Sequence, residues 1–528
     1  MKLMSTIFAL AASALLLASC ADPQSDRLPA ELREIMEANR AIAMPPLRPD
    51  FYEIAAGLMR PYFDPEAVRW VASVERRPGA GSSHIMRRAD GNLDLSAKLP
   101  HYQFAEEIRY IFGLMRYAWA AYQYFGGDDV FLPMRDAMLE QLALMSDPLP
   151  ISAYLDDLLV PNLGNAIADN HFRIHGRTIG APAHMLHINE DYVLRRYGEG
   201  FVAEIDGATH KVIATTLPDR TPVEGILPTI TREGEFAFAF ARLAVADGSG
   251  AIEIVAQLEN AATGESLLRA ISLPLPISAG CMCDCMCGTP NCACGLDGAE
   301  AQADRPPMAL RDVGGIPVFE NMRLNVRTGS PDVRDANQAA AAMRDSPVAI
   351  LDIRGIGGGQ PDLGLSWISG YASRSPNDRL LFHSFNMTPL NLMSRFSAVQ
   401  AGLASFPPPG WIRPGPFVES APIANENLLI VLMDRGAGSA GDRFAGQLRQ
   451  LENALFVGTN TQGTLVTGRV IRRGLPYSGL DIVLGTELNL RPDLSLFEGV
   501  GFLPDLWVPP DESLERALAF VERYGLNR

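Results

Sequence analysis

The sequence predicts an α/β catalytic core in its C-terminal part, preceded by an N-terminal helical domain and a small β-rich domain. Three textures carry that reading. From about residue 308 onward short apolar runs alternate with amphipathic stretches, as strands joined by helices do. Between 185 and 275 brief alternating segments are separated by Gly, Asp and Pro, the punctuation of closely spaced strands. From 29 to 180 apolar residues recur three and four apart, the helical period. At 528 residues the chain is long for one core, so two or three domains are expected.

The helical part is clearest in "YQFAEEIRYIFGLMRYAWAAYQYFGG", where Phe104, Ile108, Ile111, Met115 and Trp119 fall on one face and Gly126-Gly127 is expected to end the helix. Those aromatics read as core, not as cofactor contacts. The β-rich part contains "FVAEID", "KVIATTL", "FAFAFARLAV" and "AIEIVAQL". Further on come "PVFENMRL", a helix near 335–344, "PVAILDIRG", a helix near 363–372, and the strand "ALFVGTN". Between the last two elements stands "LLIVLMDRGAGSAGDRFAGQLRQL". Leu428 to Met433 have the length and flanks of a strand covered on both faces, while Phe444, Leu448 and Leu451 mark a helix with Asp442 in its first turn. Ser439 lies at the junction. At a helix N-terminus it is a good N-cap, and it also sits beside outward-pointing N–H groups that can stabilise an anion.

Composition narrows the function classes. Hydrophobic residues make up 47% and charged residues 20%, as in folded globular proteins. The formal net charge of −16 argues against nucleic-acid binding, because little basic surface is available to displace counterions from phosphates. The first 20 residues, "MKLMSTIFALAASALLLASC", place Lys2 before an apolar run too short to span a bilayer. The run ends in Leu17-Ala18-Ser19-Cys20, which resembles the bacterial lipobox. That resemblance implies a signal peptide (1–20), lipidation of Cys20, a tether over 21–28, and a place in the bacterial cell envelope held to a membrane through lipid. Ala21 after the cysteine favours the outer membrane by the same resemblance to sorting rules.

Residues 276–307 form an excursion holding Cys281, Cys283, Cys285, Cys287, Cys292 and Cys294. If the chain turns back at Gly288 to Asn291, alternation puts the six sulfurs on one face. Disulfides suit an oxidising envelope, and Cu(I) or Zn(II) suits clustered soft ligands, although the one-residue spacing is shorter than structural zinc sites use. His171 with His175, and His184 with His187, lack the helical "HExxH" context that would imply zinc.

The segment "GAGSAGDRFAGQL" resembles the nucleophile segment of the tail-specific, or C-terminal processing, serine peptidase superfamily. "VAILDIRGIGGG" resembles the strand and glycine loop before it, "FVGTNTQG" and "FEGVGFLPDLWV" resemble two segments after it, and "NAIADNHFRI" resembles the histidine segment of the tricorn-core and retinoid-binding-protein-like branch. Five short motifs in order cover roughly 100–180 and 308–525. The resemblance implies a crotonase- or Clp-protease-like superhelical β/α fold over 308–528. It implies Ser439 as nucleophile, His171 as general base, Glu498 as orienting acid, and Ala440, Gly357 and Gly358 as oxyanion donors. Thr464 stands where the other branch carries a lysine base, and Asn170 stands where the histidine branch sometimes has serine. The β-rich region has no "GLxxGD"-like stretch that would mark a PDZ module.

The function expected is a lipid-anchored envelope serine peptidase acting on peptides or proteins. It would need no cofactor for catalysis, with a soft metal at the cysteines as the one open addition. The rival is a binding protein that kept the scaffold and lost turnover, since fold does not fix function. Oligomeric state is not readable.

Overall fold

The computed structural model describes residues 27–59, 61, 93–245, 250–276, 308–326, 329–385, 388 and 422–528. The leader, Cys20 and the six clustered cysteines lie outside the described residues. Among those described, no helix is long and apolar enough to cross a membrane, and no group of three or more His, Cys, Asp or Glu side chains is placed to hold a metal ion.

The chain has a mixed α/β fold with N-terminal helices and a β-rich region. Its centre is a six-stranded sheet in the order Ala309–Val313, Ile316–Glu320, Val348–Asp352, Leu428–Met433, Ala454–Gly458 and Leu506–Trp507. The first pair is antiparallel and the remainder are parallel. Continuous apolar runs form these strands because both faces are covered. Alternation divides each run between two cores. Ala349, Leu351, Leu429, Val431, Met433 and Phe456 meet the helices Pro331–Arg344, Asp362–Ala372 and Ala440–Leu448. Ile350, Leu428, Ile430, Leu432, Leu455 and Val457 meet the helix Ser513–Tyr524 on the other face. The helix Ala30–Ala43 also packs on that second face through Leu32 and Met36, so this early helix is built into the C-terminal core.

The helices His101–Ala118 and Gly127–Leu144 and the helical run from Ile151 to Gly164 form a separate layer. They cover one face of a smaller sheet whose strands include Asp481–Leu490, Thr467–Gly474 and Arg173–Ile174. Phe104, Ile108, Ile111, Met115 and Trp119 are all fully buried there. The helix nevertheless ends at Ala118, well before the glycine pair expected to stop it. Trp119 N–H donates to the Leu114 carbonyl and Ala120 N–H to Gly485 O at 2.9 Å, so the chain leaves the helix to bond to the sheet. Gly126, at φ 105°, instead starts the next helix. Residues His184–Pro274 form a seven-stranded antiparallel sheet and, among the described residues, no helix. Its edge strand Ile226–Ile230 runs against Leu506–Trp507, where Thr229 Oγ1 donates to Trp507 O at 2.6 Å.

A buried ion pair locks the core behind the site. Arg449 Nη1 lies 2.6 Å from Asp505 Oδ1, with side chains 3% and 0% exposed. Asp505 also accepts from Phe456 N–H and Asn39 Nδ2. Asp505→Ala would leave the Arg449 charge buried and alone, and is expected to cost about 3–5 kcal/mol of unfolding free energy by chemical denaturation. A loss within experimental error would show that the pair is not a structural element.

Candidate active site

Three chain segments meet at the C-terminal end of the parallel strands. The first follows Leu428–Met433, where Asp434 opens a turn leading to Ser439. Asp434 Oδ1 accepts Gly355 N–H at 2.7 Å and Gly436 N–H at 2.9 Å, joining this turn to the glycine loop after Val348–Asp352. The two loops are in close contact. A Cβ on Gly441 would lie 2.4 Å from Ile356 O, and one on Gly436 would lie 2.5 Å from Gly355 Cα, so only glycine fits either place.

Ser439 occupies the N-cap of Ala440–Leu448 with φ 55° and ψ −109°, a conformation costing a non-glycine residue on the order of 1–3 kcal/mol. Fixed partners hold it there. Its N–H donates to Asp442 Oδ2 at 2.7 Å, Gly438 N–H donates to Ile356 O at 3.0 Å, and Gly441 N–H donates to Gly438 O at 2.8 Å. The result aims the hydroxyl outward. Ala440 N–H, at the first helical position, has no acceptor within the helix. Gly358 stands alongside, with the place of a Cβ 3.8 Å from Ser439 Oγ.

The second segment carries His171, whose Nε2 lies 2.9 Å from Ser439 Oγ across 268 positions of chain. Asp169 sets the turn that delivers it. Asp169 Oδ1 accepts His171 N–H at 3.0 Å, and its carboxylate also takes Trp119 Nε1 at 2.7 Å and Thr467 Oγ1 at 2.9 Å. Burial depresses the His171 pKa to about 4, with the charge of Arg173 acting in the same direction and a backbone contact from Thr467 opposing. That contact falls short of hydrogen-bond geometry, and the buried Nδ1 has no hydrogen-bond partner. The ring is therefore neutral at physiological pH, with Nε2 able to accept a proton.

The third segment is the loop after Ala454–Gly458, held by two carboxylates. Asp442 accepts Gly463 N–H at 2.8 Å and Thr464 N–H at 2.9 Å besides that of Ser439. Glu498 accepts Asn170 N–H at 2.7 Å, Leu465 N–H at 2.8 Å and Val466 N–H at 2.9 Å. Asn170 Nδ2 completes the link to Gly463 O at 3.0 Å. Thr464 points a buried Oγ1 at no partner. Burial raises the pKa of Asp169 to about 6 and that of Asp442 above the usual carboxylate range. Glu498 is raised well above its ordinary value by burial first and by the neighbouring Asp169 second.

Of the residues singled out from sequence, Ser439, His171, Ala440 and Gly358 come together around one point. Glu498 is buried beside them, yet its oxygens bond to backbone and, among the described residues, make no hydrogen bond to the imidazole. Asp169, Trp119 and Thr467 were not anticipated at the site, and Asp442 was read only as a helix-dipole charge. The signal available was Asp169, an acidic residue two before the histidine in the stretch Asn165 to Ile174.

Residues 316–508 carry the pattern of peptidase family S41. This S41 segment spans the six-stranded sheet from Ile316 onward and includes Ser439, the glycine loop and Glu498, while His171 lies outside it. No curated protein matches the chain. Among solved structures, mature CPAF is 13% identical over 80% of this chain and 96% of its own, with a TM-score of 0.35. The photosystem II D1 C-terminal processing protease is 14% identical over 79% and 97%, with a TM-score of 0.32. The tricorn protease is 12% identical over 80% of this chain and 37% of its own, again at 0.32. These likenesses are remote.

The depressed His171 pKa has a measurable consequence. In a histidine NMR titration, with His171→Gln supplying the assignment, the His171 resonance is expected to turn near pH 4 and not near the 6.5 of a free imidazole. Because the folded value lies below the unfolded one, the stability gained from a neutral ring is present above about 6.5 and is lost as pH falls towards 4. A midpoint at or above 6.5 would mean that the ring is solvated and the site looser than described.

Proposed function

We propose that the protein is a lipid-anchored serine peptidase of the bacterial cell envelope, probed best through its hydroxyl nucleophile. The observation that carries the reading is the 2.9 Å approach of His171 Nε2 to Ser439 Oγ, on a serine held at a helix N-terminus inside an S41 segment. Ser439 Oγ attacks a peptide carbonyl and its proton passes to His171 Nε2 as the O–C bond forms. The carbonyl electron pair moves onto oxygen, where the N–H groups of Ala440 and of Gly357 or Gly358 stabilise it. Losing one such donor typically costs about 100- to 1,000-fold in rate. As the tetrahedral adduct collapses, the C–N bond breaks and the imidazolium returns its proton to the departing amine. Water then repeats the sequence on the acyl-enzyme, again through His171. No cofactor enters this scheme.

In this reading Glu498 is an orienting acid through structure: it holds Asn170, and hence the His171 turn, against Leu465 and Val466. The scheme belongs to the histidine branch of the superfamily, because Thr464 cannot serve as the base of a lysine branch, and the S41 segment would have the superhelical β/α fold of that group. Cys20, after its lipobox-like run, supports attachment through lipid and an outer-membrane location. The six-cysteine cluster would carry disulfides, with a soft metal as the alternative. A second reading, a binding protein without turnover, draws its support from the unpartnered His171 Nδ1, where an active relay would be expected to place an acceptor.

A fluorophosphonate probe separates the two. The wild-type chain without its lipid leader is expected to label, and Ser439→Ala and His171→Ala each to lose labelling by about 1,000-fold or more. Folded wild type that stays unlabelled would favour the binding protein. Loss in Ser439→Ala with retention in His171→Ala would keep the nucleophile and reject the base.

A further inference from the structure

For His171 Nε2 to accept a proton from Ser439 Oγ, the single proton of the neutral ring must sit on Nδ1. That atom is buried and has no hydrogen-bond partner among the described residues, yet it carries part of the positive charge once the ring becomes an imidazolium. An acceptor there decides how good a base His171 is.

The neighbouring side chains are already committed. Both oxygens of Glu498 face main-chain N–H groups, those of Asn170, Leu465 and Val466. Asn170 turns its amide to Gly463 O and lies against Gly180, where a Cβ would stand 2.1 Å from its Oδ1. Asp169 takes Trp119 Nε1 and the His171 N–H, within a turn closed by Phe172 N–H donating to Asp169 O at 2.9 Å. Its Oδ1 accepts from a second donor, Thr467 Oγ1, at 3.0 Å, so one oxygen holds both the His171 main chain and Thr467. A Cβ on Gly485 would lie 2.0 Å from that hydroxyl, and glycine there leaves it room.

Strand geometry says where the Thr467 carbonyl points. Thr467 opens the strand Thr467–Gly474, which among the described residues pairs with Asp481–Leu490 alone. The Val466 carbonyl accepts Asn489 N–H at 2.9 Å, and Thr467 stands opposite Leu488. Antiparallel ladders alternate bonded and non-bonded pairs, so the main-chain groups of Thr467 face away from Asp481–Leu490 and are not used by the ladder. The main-chain contact of the His171 ring is with Thr467.

We infer that the Thr467 main-chain carbonyl is the acceptor for His171 Nδ1–H during the reaction, and that Asp169, through the Thr467 hydroxyl, is the positioning residue that aims it. The inference rests on the peptidase reading. In the free protein the contact falls outside hydrogen-bond geometry. It closes as the ring gains its charge, since such contacts commonly tighten only in the reacting complex. The Nδ1 proton stays on nitrogen throughout, and the carbonyl dipole stabilises the cation while Nε2 takes the Ser439 proton and passes it to the leaving amine. Orientation is thus divided between two acids: Glu498 holds the main chain of the His171 turn, and Asp169 holds the acceptor.

The test uses the lipid-free chain, isotopically labelled at histidine nitrogen and reacted with a fluorophosphonate, which leaves Ser439 in a tetrahedral adduct. The His171 Nδ1 proton is expected far downfield in the NMR spectrum, and a crystal structure of the adduct should place Nδ1 within hydrogen-bond distance of Thr467 O. Thr467→Val keeps the carbonyl and nearly the shape but loses the hydroxyl. It is expected to lower kcat on a peptide substrate by about ten- to a hundred-fold with KM little changed, the scale of a small misplacement at a reacting centre, and to move the Nδ1 proton upfield. Thr467→Ser should restore both. An adduct with Nδ1 bonded to Glu498 or to water, or a Thr467→Val enzyme with wild-type kcat and an unmoved resonance, would overturn the assignment while leaving the peptidase intact. Equal losses in Thr467→Ser and Thr467→Val would mean that packing and not the hydroxyl matters, and would overturn the part given to Asp169. Wild type that neither labels with fluorophosphonate nor cleaves peptides would remove the peptidase reading and this inference together.

Discussion

The site depends on buried carboxylates used to hold main chain. Asp169, Asp434, Asp442 and Glu498 each accept at least one backbone N–H, and the last three take eight between them: Gly355 and Gly436, then Ser439, Gly463 and Thr464, then Asn170, Leu465 and Val466. Burial disfavours every one of these charges, and the raised pKa of each records that cost. Convergent N–H donors offset it, each hydrogen bond to a charged group contributing about 1.5–3 kcal/mol. Loops cannot hold a catalytic geometry through apolar packing alone. Carboxylates bridging several amides from different segments fix direction as well as proximity.

This arrangement explains how Ser439 tolerates its backbone. The positive φ and the outward hydroxyl belong to a turn clamped on one side by Asp434 through the glycine loop and on the other by Asp442 through the Gly463 loop. Strain is concentrated at Ser439 and supported by the neighbouring segments. The glycines at 436 and 441 are required by the same clamp, since it brings backbone against backbone with no room for a side chain.

Legibility in the sequence followed periodicity. Leu428–Met433, Val348–Asp352 and the helices Pro331–Arg344 and Asp362–Ala372 announce themselves by apolar runs and punctuation, because each buries continuous surface. Ser439 and His171 could be named through motif resemblance, but their approach could not, since nothing local records a contact across 268 positions. The hairpin of Thr467–Gly474 and Asp481–Leu490 went unread: the first strand carries three arginines and little apolar alternation, and Arg469 takes a positive φ of 50° within it. The end of helix His101–Ala118 was misplaced for a related reason. Tertiary hydrogen bonds to Asp169 and Gly485 draw Trp119 and Ala120 out of a helix that their own spacing would have continued.

The bond from Glu498 to Asn170 joins residues 328 positions apart. Residue 498 is synthesised long after residue 170, so the turn bearing His171 has no such clamp until the chain has grown past both. Contacts of such long range form late in folding. A nascent or partly folded chain therefore carries its serine and its histidine as unrelated groups. Chain order alone thus postpones the meeting of the two side chains until both halves of the fold have docked.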